Sequence, residues 1–62
     1  MKIDENGKLI DCELQGKDIE KFVIPSNVSQ IGYGSIANCD FLEEIVIGES
    51  VSKLDFGAIK KP

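Results

Sequence analysis

Few side chains of this 62-residue sequence could carry out chemistry, and two cysteines stand out among them. Cys12 and Cys39 are separated by 26 residues, a spacing that matches no common set of metal ligands, and the sequence has no histidine to complete a zinc site. Two cysteines are also too few for the disulfide framework of a small secreted protein. We therefore expect two small buried hydrophobic residues. A disulfide is one alternative, and a metal-binding or redox role is another.

Hydroxyl and carboxyl groups are present, but none has the partner that catalysis requires. A serine or cysteine nucleophile needs a base, and without histidine the five serines lack the usual one. Glu43 and Glu44 are adjacent on a predicted strand, so their carboxylates point to opposite faces and cannot share a proton. The sequence thus predicts a protein that is not an enzyme and uses no cofactor.

Residues 2–13 have part of the spacing of a calcium-binding loop. Asp4, Asn6 and Glu13 fall at the third, fifth and twelfth positions of such a loop. The first position, however, is Lys2, which places a cation where an oxygen ligand is required. We therefore expect no metal site in this segment.

A β-hairpin explains the same segment better. Asn6-Gly7 between two alternating runs is the strongest short-range signal for a tight turn. A two-residue loop would place the following residues opposite each other: Met1 and Cys12, Lys2 and Asp11, Ile3 and Ile10. One face would then be apolar, with Leu14 on the same side, and the other would carry opposite charges. We expect residues 1–17 to form a hairpin that caps one end of the domain.

The rest of the chain repeats itself. Residues 18–36 and 41–59 align without a gap at an offset of 23 positions, with seven of 19 positions identical and four more apolar in both. A period of this length is typical of proteins in which each repeat is one coil of the chain. We expect two units, over about 18–40 and 41–62, whose strands lie side by side and run parallel.

Each unit contains a strand followed by turns. β-Branched and aromatic residues predict strands over 22–24 and 45–47. Val28 and Ile31 have the spacing of a tight helical or turn segment with one inward edge, and Gly34 marks a further bend. An amphipathic helix over 35–46 is the structural alternative, because its apolar residues also fit a helical period.

The repeated segments resemble a known family. "IEKFVIPSNVSQIGYGSIANC" (19–39) and "LEEIVIGESVSKLDFGAI" (42–59) are similar to the BspA-type leucine-rich repeat of bacterial proteins, whose unit reads approximately LxxIxIPxxVTxIGxxAFxxC. Gly48 and Asp55 depart from this pattern, and isoleucine stands where the family has phenylalanine. The resemblance implies a mainly β fold: a short leucine-rich-repeat solenoid of two coils with parallel strands, preceded by the N-terminal hairpin cap.

The overall charge limits the partners. Eleven acidic residues against seven lysines give a net charge of −4, which argues against binding to nucleic acid or to anionic membrane surfaces. No apolar run reaches the roughly 18 residues of a membrane span, and the first residues do not resemble a signal peptide. We expect a cytoplasmic protein if the chain is complete, and a cell-surface protein if it is part of a typical family member.

Two surfaces are candidates for binding. The resemblance implies a protein-binding role for the outer face of the sheet, which the sequence predicts to be formed by Lys21, Val23, Glu44 and Val46. The second unit has no following unit or cap, so its inner residues are predicted to form a self-association edge: Ile45, Ile47, Val51, Leu54 and Ile59. The favoured hypothesis is a protein-interaction module that self-associates. The alternative is a structural capping fragment of a longer repeat protein with no binding activity of its own.

Overall fold

The computed structural model describes residues 1–60, which form a mainly β structure without helices. Eight short strands follow one another: β1 (Lys2–Ile3), β2 (Lys8–Asp11), β3 (Lys21–Val23), β4 (Gln30–Ile31), β5 (Ile36–Ala37), β6 (Glu44–Val46), β7 (Lys53–Leu54) and β8 (Ile59–Lys60). Accordingly, no helix in the described part of the chain could cross a membrane. The alternative of a helix over 35–46 is wrong, since this stretch contains β5, a turn and β6.

Three small sheets bring the repeated segments together. Their strand orders are β1-β2-β4-β7, β3-β6 and β5-β8, and every pairing except that of β1 with β2 is parallel. Lys21 lies beside Glu44, and Val23 lies beside Val46. These neighbours are 23 positions apart in the chain, so the register of the strands has the same offset as the sequence repeat. The predicted parallel pairing of the two repeated segments is confirmed.

The prediction of a turn or helical segment at Val28 and Ile31 is only partly right. Val28 follows a turn, as its amide donates to the carbonyl of Pro25 at 3.1 Å, but Ile31 belongs to strand β4. The expected bend at Gly34 is present, with a positive φ of 66° that suits glycine because it has no Cβ. The repeated segments thus contribute three short strands each, where the sequence predicted one.

The N-terminal hairpin is present, but its predicted register is wrong. Asp4, and not Glu5, lies opposite Lys8: the amide of Asp4 donates to the carbonyl of Lys8, and the amide of Gly7 donates to the carbonyl of Asp4. Gly7 has a φ of 80°, so the turn is a three-residue loop that ends in a left-handed glycine. The carboxylate of Asp4 fixes this loop, because it accepts from the amides of Asn6 and Lys8 at 2.9 Å each.

The longer loop changes which side chains face inward. Ile3 pairs with Leu9 instead of Ile10, and a bulge then restores the predicted pairing of Lys2 with Asp11. Leu9 is consequently completely buried, while Ile10 is 45% exposed. The predicted apolar face containing Ile10 is therefore wrong, because a shift of one residue moves a side chain to the opposite face.

Strand β2 also has a second partner that the sequence does not indicate. It pairs in parallel with β4, with Lys8 beside Gln30 and Leu9 beside Ile31. The amide of Cys12 extends this contact by donating to the carbonyl of Ser35 at 2.9 Å. The hairpin is therefore joined to the first repeated segment by backbone hydrogen bonds as well as by side-chain packing.

The core lies between the three sheets. Its buried hydrophobic members are Leu9, Cys12, Phe22, Ile24, Val28, Ile31, Ile36 and Ala58. All but Ala58 come from the hairpin or from the first repeated segment. The apolar residues of the second segment are thus less well covered than those of the first.

Candidate interaction edge

The last three strands have a free side. Within residues 1–60, β6 pairs only with β3, β7 only with β4, and β8 only with β5. These three strands will be called the open edge. Their outward backbone N–H and C=O groups are the groups that pair most readily with another strand.

Side-chain burial changes sharply between equivalent positions of the two segments. Three isoleucines of the first segment are almost completely buried, whereas their counterparts 23 positions later are exposed: Ile24 5% against Ile47 45%, Ile31 0% against Leu54 56%, and Ile36 2% against Ile59 40%. The members of each pair have the same side-chain character; the Ile24 pair directly follows a strand in both segments, and the other two pairs lie within strands. The difference arises because the second segment covers the first and no described residue covers the second.

The five residues predicted for the self-association edge lie together at this end. Ile47, Leu54 and Ile59 are exposed, and Ile45 and Val51 are half-buried against the core. A cavity of about 400 Å³ lies between β6 and β8, lined by Ile36, Cys39, Leu42, Glu43, Ile45, Ile59 and Lys60. A recess with apolar and polar lining thus adjoins the open edge, and Glu43 and Lys60 give that lining one charge of each sign.

The outer sheet face is smaller. Lys21, Val23 and Glu44 are exposed and Val46 is half-buried, so the four predicted residues do form one surface across β3 and β6. The two strands contain only three residues each. A specific interface usually needs about 800 Å² from each partner, and this face alone offers much less.

Two aromatic residues near the open edge, Tyr33 and Phe56, were not among the site residues predicted from the sequence. The ring of Tyr33 covers Gly57, where an added Cβ would lie 2.7 Å from the ring, and the ammonium of Lys60 lies 4.0 Å from the ring centroid and contacts its hydroxyl. Phe56, the counterpart of Tyr33, is 95% exposed. Their equivalence in the alignment was the available signal, but the sequence alone did not show that Tyr33, which is 64% exposed, contacts the following segment while Phe56 is almost fully exposed.

Asp55 is a further residue whose role depends on the tertiary structure. Its carboxylate accepts a hydrogen bond from the side-chain amide of Gln30 at 2.6 Å and lies 3.6 Å from the ammonium of Lys8. The hydrogen bond from Gln30, together with the positive charge of Lys8, lowers the pKa of Asp55 below its ordinary value of 3.8. Asp55, which directly follows β7, thus links this strand to β2 and β4.

The sulfur atoms of Cys12 and Cys39 lie 3.6 Å apart, but the residues considered as metal ligands form no cluster among residues 1–60. In the described part of the chain no group of three or more cysteine, aspartate or glutamate side chains is placed to hold a metal ion. Ser35 is completely buried, and its hydroxyl has no hydrogen-bond partner among residues 1–60. Asp4, a residue of the calcium-like spacing, uses one carboxylate oxygen to bind backbone amides of its own turn.

No protein-family model matches the sequence, and neither the curated proteins nor the solved structures contain a significant match to it.

Proposed function

We propose that this chain is a non-catalytic leucine-rich-repeat module of the BspA type that makes protein–protein contacts through its open edge. The observation that carries the proposal is the contrast in burial between Ile31 and Leu54, which occupy the same position in successive segments but are 0% and 56% exposed. An apolar residue that is equivalent to a core position, and lies on a strand with one unpaired edge, is typical of a surface that another chain covers.

The two-coil solenoid is part of the same proposal. Three separate parallel pairings, of β3 with β6, β4 with β7 and β5 with β8, have one common offset of 23 residues. In a solenoid with one coil per repeat, each strand pairs with the equivalent strand of the next coil. This arrangement would give the same offset in all three sheets. The resemblance of residues 19–59 to the bacterial repeat supports the same interpretation.

The occupant that we favour for the open edge is a second copy of this chain. In an antiparallel pairing of β7 with β7 of a second copy, centred on Leu54, each Leu54 would meet its equivalent. Lys53 would then lie opposite Asp55 of the second copy, and Asp55 opposite its Lys53. Opposite charges facing each other across antiparallel strands stabilise the pairing, so residues 53–55 are complementary to themselves.

The expected association is weak. The three edge strands contain only two or three residues each. The contact is therefore smaller than the roughly 1,600 Å² of a standard interface, and we expect a dissociation constant in the micromolar range or above.

One observation favours the alternative, in which the chain is the N-terminal capping segment of a longer repeat protein. The ring of Tyr33 packs on Gly57 one repeat later and is 64% exposed, whereas Phe56 is 95% exposed. A following unit with a glycine at the equivalent turn would cover Phe56 in the same way. In that case the open edge would be an internal contact of the longer protein.

Sedimentation equilibrium over a wide concentration range tests the proposal. We expect the wild-type chain to dimerise and a Leu54→Glu variant to remain monomeric, because the substitution places a carboxylate at the centre of the contact. Val23→Glu is the matched control, since Val23 is 57% exposed on the outer sheet face, almost the same as Leu54. A wild-type chain that stays monomeric at the highest concentration would contradict self-association.

A second measurement separates the alternative. A chain extended by one more 23-residue unit should be more stable as a monomer if the open edge accepts a repeat unit. If the extended chain is no more stable than the original one, and the original one dimerises, the capping-segment hypothesis is wrong.

A further inference from the structure

The two cysteines lie next to each other in the folded chain. The sulfur atoms of Cys12 and Cys39 are 3.6 Å apart, although 27 positions separate the two residues in the sequence. Both are free thiols; Cys12 is buried in the core, and Cys39 is half-buried and lines the cavity beside the open edge. The sequence favoured two unreactive hydrophobic residues and left a disulfide open, and it gave no sign of this proximity.

Local structure holds both residues in place. The amide of Cys12 donates to the carbonyl of Ser35, and the thiol of Cys39 donates to the carbonyl of Ala37 at 3.4 Å. Each cysteine is also next to a residue with positive φ, Glu13 after Cys12 and Asn38 before Cys39, so the backbone turns sharply beside each sulfur atom. The two thiols meet through the pairing of the hairpin with the first repeated segment.

We propose that Cys12 and Cys39 are an oxidative modification site at which a reversible disulfide joins the N-terminal hairpin to the first repeat. A disulfide bond is about 2.05 Å long, so the sulfur atoms, now 3.6 Å apart, must approach each other by roughly 1.5 Å. This inference is independent of the proposed function, because it depends on neither the open edge nor a second copy.

The chemistry is thiol–disulfide exchange with a small-molecule disulfide as the oxidant. The Cys39 sulfur, which is the more accessible of the two, loses its proton and attacks the small disulfide, so that one small thiolate leaves and a mixed disulfide forms. The Cys12 sulfur, on losing its proton, then attacks the Cys39 sulfur and expels the second thiolate. One disulfide bond is formed and one is broken, the cysteines lose two electrons, and the two departing thiolates accept the two protons.

The surroundings of Cys39 make this reaction slow at neutral pH. Burial, followed by the hydrogen bond with Cys12 and the nearby acidic groups, raises the pKa of the Cys39 thiol from 9.0 to about 11. Because the thiolate is the nucleophile, the rate of oxidation should increase with pH until the pH approaches this value. Exchange is thus restricted to strong or prolonged oxidising conditions.

The cross-link should stabilise the fold strongly. Closing a loop of 27 positions restricts the unfolded chain, and for a domain of this size the midpoint of thermal unfolding should rise by roughly 15 °C. The effect is large because so short a chain buries a small core.

The test is to oxidise the full chain with an excess of oxidised glutathione at mildly alkaline pH. Intact mass, thermal unfolding and sedimentation are then measured before and after addition of a reductant. We expect the mass to fall by two hydrogens, the chain to gain no covalent partner, and the unfolding midpoint to rise and return on reduction. Cys12→Ser and Cys39→Ser should each abolish the loss of two hydrogens.

Three outcomes would overturn the proposal. The first is a stable mixed disulfide between the wild-type chain and glutathione, which would show that Cys12 does not reach Cys39. The second is a disulfide-linked dimer as the main product. The third is an internal disulfide that leaves the unfolding midpoint unchanged, since such a bond would not join two ordered parts of the fold. The double variant Cys12→Ala, Cys39→Ala controls for effects of the oxidant on the rest of the chain.

Discussion

Two separate variants, one truncated at Ile31 and one at Leu54, test how much these equivalent positions contribute to stability. Each substitution to alanine removes three carbon atoms from the same strand position of successive segments. Ile31 is completely buried, so Ile31→Ala should lower the free energy of unfolding by roughly 3 kcal/mol, within the range for large-to-small core substitutions. Leu54 is 56% exposed, so less than half of its side chain is out of water and Leu54→Ala should cost only about 1 kcal/mol.

The marginal stability of a short chain affects how this comparison is made. A core of this size rarely provides more than about 3–5 kcal/mol, so Ile31→Ala should be largely unfolded in water. Ile31→Val removes one carbon and should cost about 1 kcal/mol, which keeps the variant folded and measurable.

Urea unfolding followed by circular dichroism, at a concentration where the chain is monomeric, gives the free energies. With a slope of about 1 kcal/mol per molar urea for so small a protein, Ile31→Val and Leu54→Ala should each shift the midpoint by roughly 1 M. At a concentration where the dimer forms, the cost of Leu54→Ala should rise toward that of a core residue, whereas the cost of Ile31→Val should not change. If Leu54→Ala unfolds the monomer as completely as Ile31→Ala does, Leu54 is already buried within one chain and the open edge does not exist.

Two further predictions concern single polar groups. Ser35→Ala should raise the free energy of unfolding, measured with urea, by about 1 kcal/mol, because it removes a buried hydroxyl without a partner. Ala58→Ser, at the equivalent buried position, is the matched control and should lower the free energy of unfolding. If Ser35→Ala is destabilising instead, the Ser35 hydroxyl is hydrogen-bonded. Asp55 has a lowered pKa, so its charge stabilises the fold above its ordinary pKa of 3.8 and loses this effect as the pH falls through the lower folded value. Urea unfolding against pH should therefore show Asp55→Asn less stable than wild type at neutral pH, with a difference that shrinks under acid conditions; a difference independent of pH would exclude the electrostatic explanation.

The repeat could be predicted from the sequence because equivalent residues recur at a constant offset. Seven identities at a constant offset define which residues are equivalent, and parallel strands at that offset then place Val23 beside Val46. The strands were predicted one residue too late, over 22–24 and 45–47 instead of Lys21–Val23 and Glu44–Val46. The apolar pattern indicates which side chains face inward, but it does not indicate where the backbone pairing begins and ends.

The hairpin shows where local signals were insufficient. Asn6-Gly7 correctly indicated a turn, but a two-residue and a three-residue loop both fit this dipeptide. The carboxylate of Asp4 selects the longer loop by binding two amides, and the parallel pairing of β2 with β4 requires Leu9 to face inward. Leu9 is in the core because of a contact with a strand more than 20 residues away, which no local pattern encodes.

By itself, the sequence determined that the chain is mainly β, that turns lie at Asn6-Gly7 and Gly34, and which residues of its two repeated segments are equivalent. These properties follow from the local preferences of the side chains and from the 23-residue repeat in the sequence. Only the tertiary structure decided which member of each equivalent pair is buried, that Cys12 meets Cys39, and that Asp55 joins three strands. Whether a residue is buried, and which residues it contacts, depends on the distant segment that packs against it. That segment is in place only when the chain has folded.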